Sequence, residues 1–419
     1  MTVDGRFFNA GRMGFDRQAP VLAHLRQELR REDDRFTGGH LRARFERRHD
    51  DGTGWFAQVA VDRLDTTRLV QEGTQDGLDL SFQSAAAVGN AFVTWGGDYL
   101  ARRTSLESDL QVRTLEEQDR WDHVVSSFVQ VEMPVGGRDD LTALIGSKLS
   151  HNDFTGLEIQ PSARLAWTPT DDLAAWAAVS RAVRVPSLVD TDILFASRYA
   201  DTGILAGGPP SGVFVPLGNS GRPDTDAEEL LAVEAGVRWR PHPSLTVDAA
   251  AFRNDYDRLR VTSPFQTNFG VGNNGEGVAW GGEVALTWQP MASWRLEGSW
   301  SLAHLDIEAD RSAIRPNGAH AEQMAQVRSS WDVSDELRLD AVAAWTDRRP
   351  YFAAIGGTPV EDVLRVDLGL TWRPRPGVEL SVWGRNLLDD RHPEFRNDFF
   401  SPDAVEIRRD VLVELTLRF

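Results

Sequence analysis

Nine histidines, His24, His40, His49, His123, His151, His242, His304, His320 and His392, are scattered through the chain. None stands in a His-x-x-x-His or glutamate-spaced arrangement of the kind that holds a metal ion. A serine nucleophile needs a base and an orienting group beside it, and the sequence has no Gly-x-Ser-x-Gly elbow. The glycine pairs Gly96-Gly97, Gly136-Gly137, Gly207-Gly208 and Gly356-Gly357 lack a following Lys-Ser or a helix to cradle phosphate, and read as turns or kinks. No catalytic residue, metal ligand or cofactor is assigned, and the chain is not read as an enzyme.

Ligand capture is the chemistry that the residue types favour. Segment 184–227 carries Phe195, Arg198, Tyr199 and Phe214, segment 257–276 carries Phe265 and Phe269, and segment 348–361 carries Arg349, Tyr351 and Phe352. Aromatic faces stack on ligands and cations, and guanidinium groups pair with anions. For any one of them, packing of the loops on one another or against lipopolysaccharide is the favoured reading; ligand contact is expected of some members of the set. Asp190, Asp192 and Asp201 offer oxygens of the kind calcium takes, but solubility of an exposed loop explains them too, and no metal is assigned.

The segments that must position these loops read as strands. From Glu406 to Phe419 the chain alternates without a break, with Ile407, Arg409, Val411, Val413, Leu415, Leu417 and Phe419 on one face. Successive side chains of a strand point to opposite faces, so this predicts one long strand, apolar on one side and mostly charged on the other. The pattern recurs at 362–373, where Leu364, Val366, Leu368, Leu370 and Trp372 share a face, and at 336–347, 278–288 and 292–304. Runs of about 11 to 13 residues exceed ordinary soluble strands and approach the length of a tilted membrane strand. Short turns at 49–53, 135–138, 169–172, 241–244, 290–293, 334–335 and 374–377 alternate with longer connections at 65–73, 104–119, 151–157, 184–227, 257–276, 305–320, 348–361 and 389–404. Outer-membrane barrels show this asymmetry and carry even strand numbers; about seventeen strands are clear from residue 36 onward, with an eighteenth before residue 16.

Composition agrees with that reading. A chain of 419 residues, 41% hydrophobic with a mean hydropathy of -0.36, contains no stretch near the roughly 20 apolar residues that a spanning helix needs. A barrel passes this test because its lumen-facing half is polar. Fourteen Trp and twenty Phe fit aromatic girdles at two membrane interfaces. A net charge of -18 argues against nucleic acid as a partner. The absence of cysteine suits export. Glu336, Arg338, Asp340, Arg365 and Asp367 would be costly facing lipid, and are expected to line a wet lumen and pair across strands. The expected fold is all-β, an antiparallel transmembrane barrel with short periplasmic turns and long extracellular loops. A soluble propeller competes, but nothing in the pattern would cover the continuous apolar face in water.

From about residue 36 to 419 the sequence resembles the TonB-dependent outer-membrane receptors. Gly156 to Pro169 followed by Trp176 to Ser187 looks like that family's mid-barrel hairpin, ending in Ser-Arg-Ala-x-Arg-x-Pro-Ser before a long outer loop. Glu228 to Trp239 is similar to the strand after that loop, with Glu234 and Gly236 matching Glu-x-Gly. Asn273 to Glu283 resembles the Asn-x-Gly to Gly-x-Glu stretch, and Gly384 to Asp390 the penultimate Asn-Leu-x-Asp. The resemblance implies TonB-driven uptake of a ferric siderophore, a cobalamin or a glycan through a plugged barrel of about 22 strands in the bacterial outer membrane, with outer-membrane lipid as its surroundings. Met1 to Ala10 has no signal-peptide pattern and precedes no plug-like region, so the expectation is a fragment: 1–35 a poorly patterned strand or loop region and 36–419 a partial barrel, linked to the TonB complex only through a missing N-terminal plug. An outer-membrane barrel enzyme or adhesin is the alternative function.

Overall fold

The computed structural model describes residues 1–21, 26–68, 71–107, 112–114, 118–201, 208–209, 211–212, 214–265, 268–309, 320–349, 360–395 and 405–418. The chain opens with five strands, β1 (Thr2–Val21), β2 (Arg26–Arg48), β3 (Gly54–Arg68), β4 (Gln71–Val88) and β5 (Ala91–Leu106). A short β6 (Val112–Thr114) precedes β7 (Asp119–Pro134), β8 (Leu141–Asn152), β9 (Gly156–Thr170) and β10 (Leu173–Arg184). The largest connection then holds α1 (Leu188–Thr191), β11 (Ile193–Asp201) and β12 (Phe214–Ser220). After it come β13 (Glu228–His242), β14 (Leu245–Phe265), β15 (Asn268–Met291), β16 (Trp294–Glu308), β17 (Gln323–Asp332), β18 (Leu337–Thr346), β19 (Val363–Arg375) and β20 (Val378–Arg385). A small pair, β21 (Arg391–Phe395) and β22 (Val405–Arg408), stands before the last strand, β23 (Asp410–Leu417).

Leaving out β6, β11, β12, β21 and β22, the other eighteen strands form one antiparallel meander in which each pairs with the next. Among the described residues no backbone pairing joins β1 to β23. Register puts the alternating residues in continuous rows. Val247 of β14 faces Leu286 of β15, Val284 faces Trp300 of β16, and Trp331 of β17 faces Leu339 of β18, which faces Leu370 of β19. One face of the sheet is therefore apolar and uncovered, and ten of the fourteen tryptophans are exposed. Six of these, Trp55, Trp167, Trp239, Trp288, Trp331 and Trp372, sit within four residues of a short turn, which draws an aromatic line along one end of the sheet. Among the described residues no helix is long and apolar enough to cross a membrane, which says nothing of strands.

The other face is polar, and its charges pair both across strands, as Arg238 of β13 does with Asp248 of β14 at 2.6 Å, and along a single strand. Two of the pairs expected across strands form along one strand: Arg338 meets Asp340 at 3.1 Å and Arg365 meets Asp367 at 3.4 Å. Two residues apart on a strand is the same face, so an Arg-x-Asp sequence builds the pair locally. The cross-strand contribution to Asp340 comes from Ser330, whose hydroxyl donates at 2.6 Å. On this face several aromatic rings lie over a glycine of the neighbouring strand. A Cβ on Gly236 would stand 2.7 Å from the Trp176 indole, one on Gly369 2.6 Å from that of Trp383, and one on Gly96 2.8 Å from the Phe128 ring.

Several strand boundaries differ from the expected ones. The longer connections expected at 65–73 and 151–157 are largely strand, since β3 runs to Arg68 and β4 starts at Gln71, and β8 runs to Asn152 and β9 starts at Gly156. The unbroken alternation of 406–419 is two elements, because its first residues pair with β21 and the rest with β20. The partner changes just past the end of β20, beside Asn386, which is fully buried with φ +50 and whose N–H donates to Asp367 at 2.9 Å. Alternation reports faces and not partners, so it carries no sign of the break. The connection expected at 257–276 is almost wholly strand, since β14 and β15 run on as a hairpin to Phe265 and Asn268.

The turn between β7 and β8 shows how a short connection is fixed. Arg138 Nε and Nη2 donate to Asp140 at 2.9 and 2.6 Å, and Trp167 Nε1 adds a bond at 3.2 Å. The guanidinium bond, assisted by the indole, holds the Asp140 carboxyl down at about 2. A carboxyl depressed in the folded state stabilises above its unfolded value and loses that contribution as pH falls through the folded one. The stability difference between the native protein and Asp140→Asn is thus expected to be full at pH 5 and to shrink from about pH 4 towards pH 2, read from urea midpoints across that range.

Candidate functional site

The buried residues gather at the long-loop end. Leu106, Ile193, Ala227, Val261, Ile307 and Val360 are buried there, with the polar Asn152, Asp190, Thr191, Asp192, Thr225, Asn386 and His392. The largest connection, between β10 and β13, is the centre of this packing.

Its two ends are laced together at the base. Ser187 donates from its backbone N–H and its hydroxyl to Asp190 Oδ2, both at 2.9 Å, which closes the single turn of α1. Gly221 N–H donates to the Ile193 carbonyl at 2.8 Å and Arg222 N–H to that of Asp190 at 2.9 Å. A Cβ on Gly221 would lie 2.7 Å from the Thr191 carbonyl carbon, so only glycine allows this approach. Thr225 Oγ1 bonds the carbonyls of Asp190 and Arg222 at 3.3 and 2.7 Å. The base is tied outward as well. Asp190, 2% exposed, forms an ion pair with Arg260 of β14. Asn273 of β15 takes the Asp226 N–H on Oδ1 at 2.8 Å, and its Nδ2 donates to the carbonyls of Asp226 and Arg258 at 3.0 and 2.8 Å. Glu228 pairs with Arg184 and accepts the Arg260 N–H at 2.7 Å. Glu229 pairs with Arg181 at 2.8 Å. On the far side Leu188 and Ile193 pack on Leu106 at the end of β5.

Above the base, three connections join in one sheet. Phe195 of β11 stands opposite Val112 of β6 and Asn219 of β12, and Asn219 stands opposite Phe269 of β15, which pairs with Pro264 of β14. Arg198 faces Leu217, Tyr199 faces Pro216, Phe214 faces Asp201, and Phe265 faces Asn268. Six residues singled out from two separate sequence segments therefore belong to one backbone network. Arg349 lies apart from it, bridged through its backbone to Val360, and Tyr351 and Phe352 lie outside the described residues. Among the described residues no group of three or more His, Asp and Glu could hold a metal. Asp190 is engaged by Ser187 and Arg260, and Asp201 falls in β11.

A family model described as TonB dependent receptor-like, beta-barrel, matches residues 3–387. The chain belongs to the TonB-dependent receptor family. No curated protein matches it in sequence. Solved structures match in fold: a mutant of the ferric enterobactin receptor PfeA from Pseudomonas aeruginosa, at 15% identity and TM-score 0.70, covers 92% of this chain and 62% of its own. The siderophore receptor PirA from the same organism matches at 16% identity and TM-score 0.65, over 92% of this chain and 64% of its own. The FrpB iron transporter from Neisseria meningitidis matches at 10% identity and TM-score 0.71, over all of this chain and 69% of its own. The chain thus spans under two thirds of the length of PfeA and PirA.

In a TonB-dependent receptor barrel the apolar face described above meets lipid and the polar face lines the lumen. The short turns with their tryptophan line are then the periplasmic end, and the laced loops the extracellular mouth. Several of the motif residues that carried the resemblance prove to be structural members of that mouth, while others, such as Gly236 and Glu283, lie on the polar face of the wall. Arg181 and Arg184 pair with successive glutamates of β13, Ser187 caps the turn holding Asp190, and Asn273 ties β15 to the loop base. Sequence marked Ser187 and Asn273 by type but gave them no role, and Arg260, in the 257–276 segment, was not singled out.

Proposed function

We propose that this chain is the barrel portion of an outer-membrane receptor for TonB-dependent uptake of a ferric siderophore or a comparably scarce nutrient such as a cobalamin or a glycan. The observation that carries the reading is the extracellular sheet that brings the Phe195, Asn219 and Phe269 positions into one row, with Arg198 and Tyr199 beside it. Aromatic and arginine residue types at neighbouring backbone positions suit an anionic, aromatic ligand. Enterobactin-bound forms of PfeA are among the structures with this fold, which favours a siderophore over the other two. A plug and the TonB complex supply gating and energy in this reading. The edges of β1 and β23, unpaired with each other, call for pairing beyond the described residues, since a bilayer does not tolerate open sheet edges.

Titration of the folded protein in detergent micelles with ferric catecholate and hydroxamate siderophores and with cobalamin, followed by intrinsic tryptophan fluorescence, tests this. Saturable quenching by a ferric siderophore is expected. Arg198→Ala and Tyr199→Ala are each expected to weaken it about tenfold, roughly 1.4 kcal/mol. No saturable response to any of these ligands would remove the uptake assignment for this chain.

A further inference from the structure

We propose that the base of the large extracellular loop, residues 185–194 and 220–227, is a fixed platform and not the hinge of a closing lid, and that Asp190 and Asn273 are the residues that position it. The inference rests on the ligand-binding role proposed for the sheet above the loop base. Three independent anchors meet at the base: apolar packing of Leu188 and Ile193 on Leu106 at β5, the Asp190–Arg260 ion pair at β14, and the Asn273 bonds at β15. The two ends of the loop are also bonded to each other through Gly221, Arg222 and Thr225.

A lid must break its base contacts to swing, and here the base holds the densest burial among the described residues. Asp190 and Ile193 are 2% and 5% exposed on one side, and Thr225 and Ala227 5% and 2% on the other. Freeing Asp190 from Arg260 would leave a buried carboxylate without its counter-ion, a state that strongly disfavours opening. Asn273 uses both its acceptor and its amide hydrogens on backbone groups of the loop base and of β14, so the side chain fixes the loop relative to the hairpin that carries Phe265 and Phe269. The platform and the hairpin then move together, and the row from Phe195 to Phe269 is held in register before any ligand arrives. Binding on such a surface loses little to ordering.

Hydrogen exchange of the full chain in micelles, read by mass spectrometry, is the test. Amides of 190–195 and 220–228 are expected to be protected to the same order as the barrel strand 323–332 in the native protein. In Asn273→Ala and in Asp190→Asn that protection is expected to fall at least tenfold at the loop base, with 323–332 unchanged. Asn273→Asp, which keeps the acceptor and loses the donors, is expected to fall between. Thr225→Val, which removes one hydroxyl only, serves if Asp190→Asn does not fold. Rapid exchange of the base in the native protein, or equal protection in native and variants, overturns the proposal. A second readout uses ferric siderophore: Asn273→Ala is expected to dissociate about tenfold faster with association unchanged. If no siderophore binds the native protein, the ligand reading fails while the exchange data still decide the platform.

Discussion

Val284→Arg is expected to destabilise the protein by roughly 2 to 4 kcal/mol, measured as a shift in urea midpoint after folding into lipid vesicles. Val284 lies on the apolar face of β15, midway along the strand between Trp280 and Trp288, with Ala249 and Trp300 as its cross-strand neighbours. Two tryptophans bracketing a position on one face mark the two interfaces, so the residue midway between them sits near the bilayer midplane. A guanidinium there must drag water inward or thin the bilayer around it. The next residue supplies the control. Ala285 points to the polar face and borders the cavity lined by Trp176, Glu283, Ser299 and Gln326. Ala285→Arg is expected to stay within about 0.5 kcal/mol of the native protein. Equal effects at the two positions would mean that the apolar face does not meet lipid.

Gly236→Ala is expected to cost about 1 to 3 kcal/mol in the same assay, the range for forcing an extra carbon into a filled site. The reason is the Trp176 indole, which lies flat where the new methyl would go, at 2.7 Å from its nearest atom. The ring is held from its other side by the Arg164 guanidinium, 5.6 Å from its centroid. Alanine ordinarily favours a strand over glycine, so a loss here reports the ring and not strand propensity. Gly298→Ala separates the two effects, because its new carbon meets nothing nearer than the Gln326 carbonyl at 4.0 Å. That variant is expected to be neutral or slightly stabilised. A destabilised Gly298→Ala would move the explanation from packing to backbone conformation.

Most of the wall was legible in the sequence, and the reason is local. Leu364, Val366, Leu368, Leu370 and Trp372 share a face because the chain is extended, and no distant residue is needed to say so. The eighteen meander strands follow from the turn chemistry and from the shortness of the connections at one end, which leave adjacent strands no choice but to pair. Local reasoning failed where partners change without a change of pattern, as at Asn386, where the last alternating run passes from β21 to β20. It failed again for two of the lumen pairs, Arg338 with Asp340 and Arg365 with Asp367, which form along one strand where pairing across strands was expected. Arg338 and Asp340 are already neighbours on one face, and meeting there costs less order than reaching to another strand.

For the mouth, sequence supplied residue types and nothing about their meeting. Phe195 and Phe269 come from different connections, and only the parallel pairing of β12 with β15 places their backbones in one row. Asp190 and Arg260 are far apart in the chain and fall together because β14 overshoots the apolar band and passes beside the loop base. What the sequence determined by itself was the period of two, and with it the two faces, the strand type and the end at which the loops lie, since these depend on neighbours along the chain. What only the tertiary structure decided was the lacing of the mouth, because hydrogen-bond register between distant segments and burial of a carboxylate against a guanidinium depend on where the paired strands set each loop down.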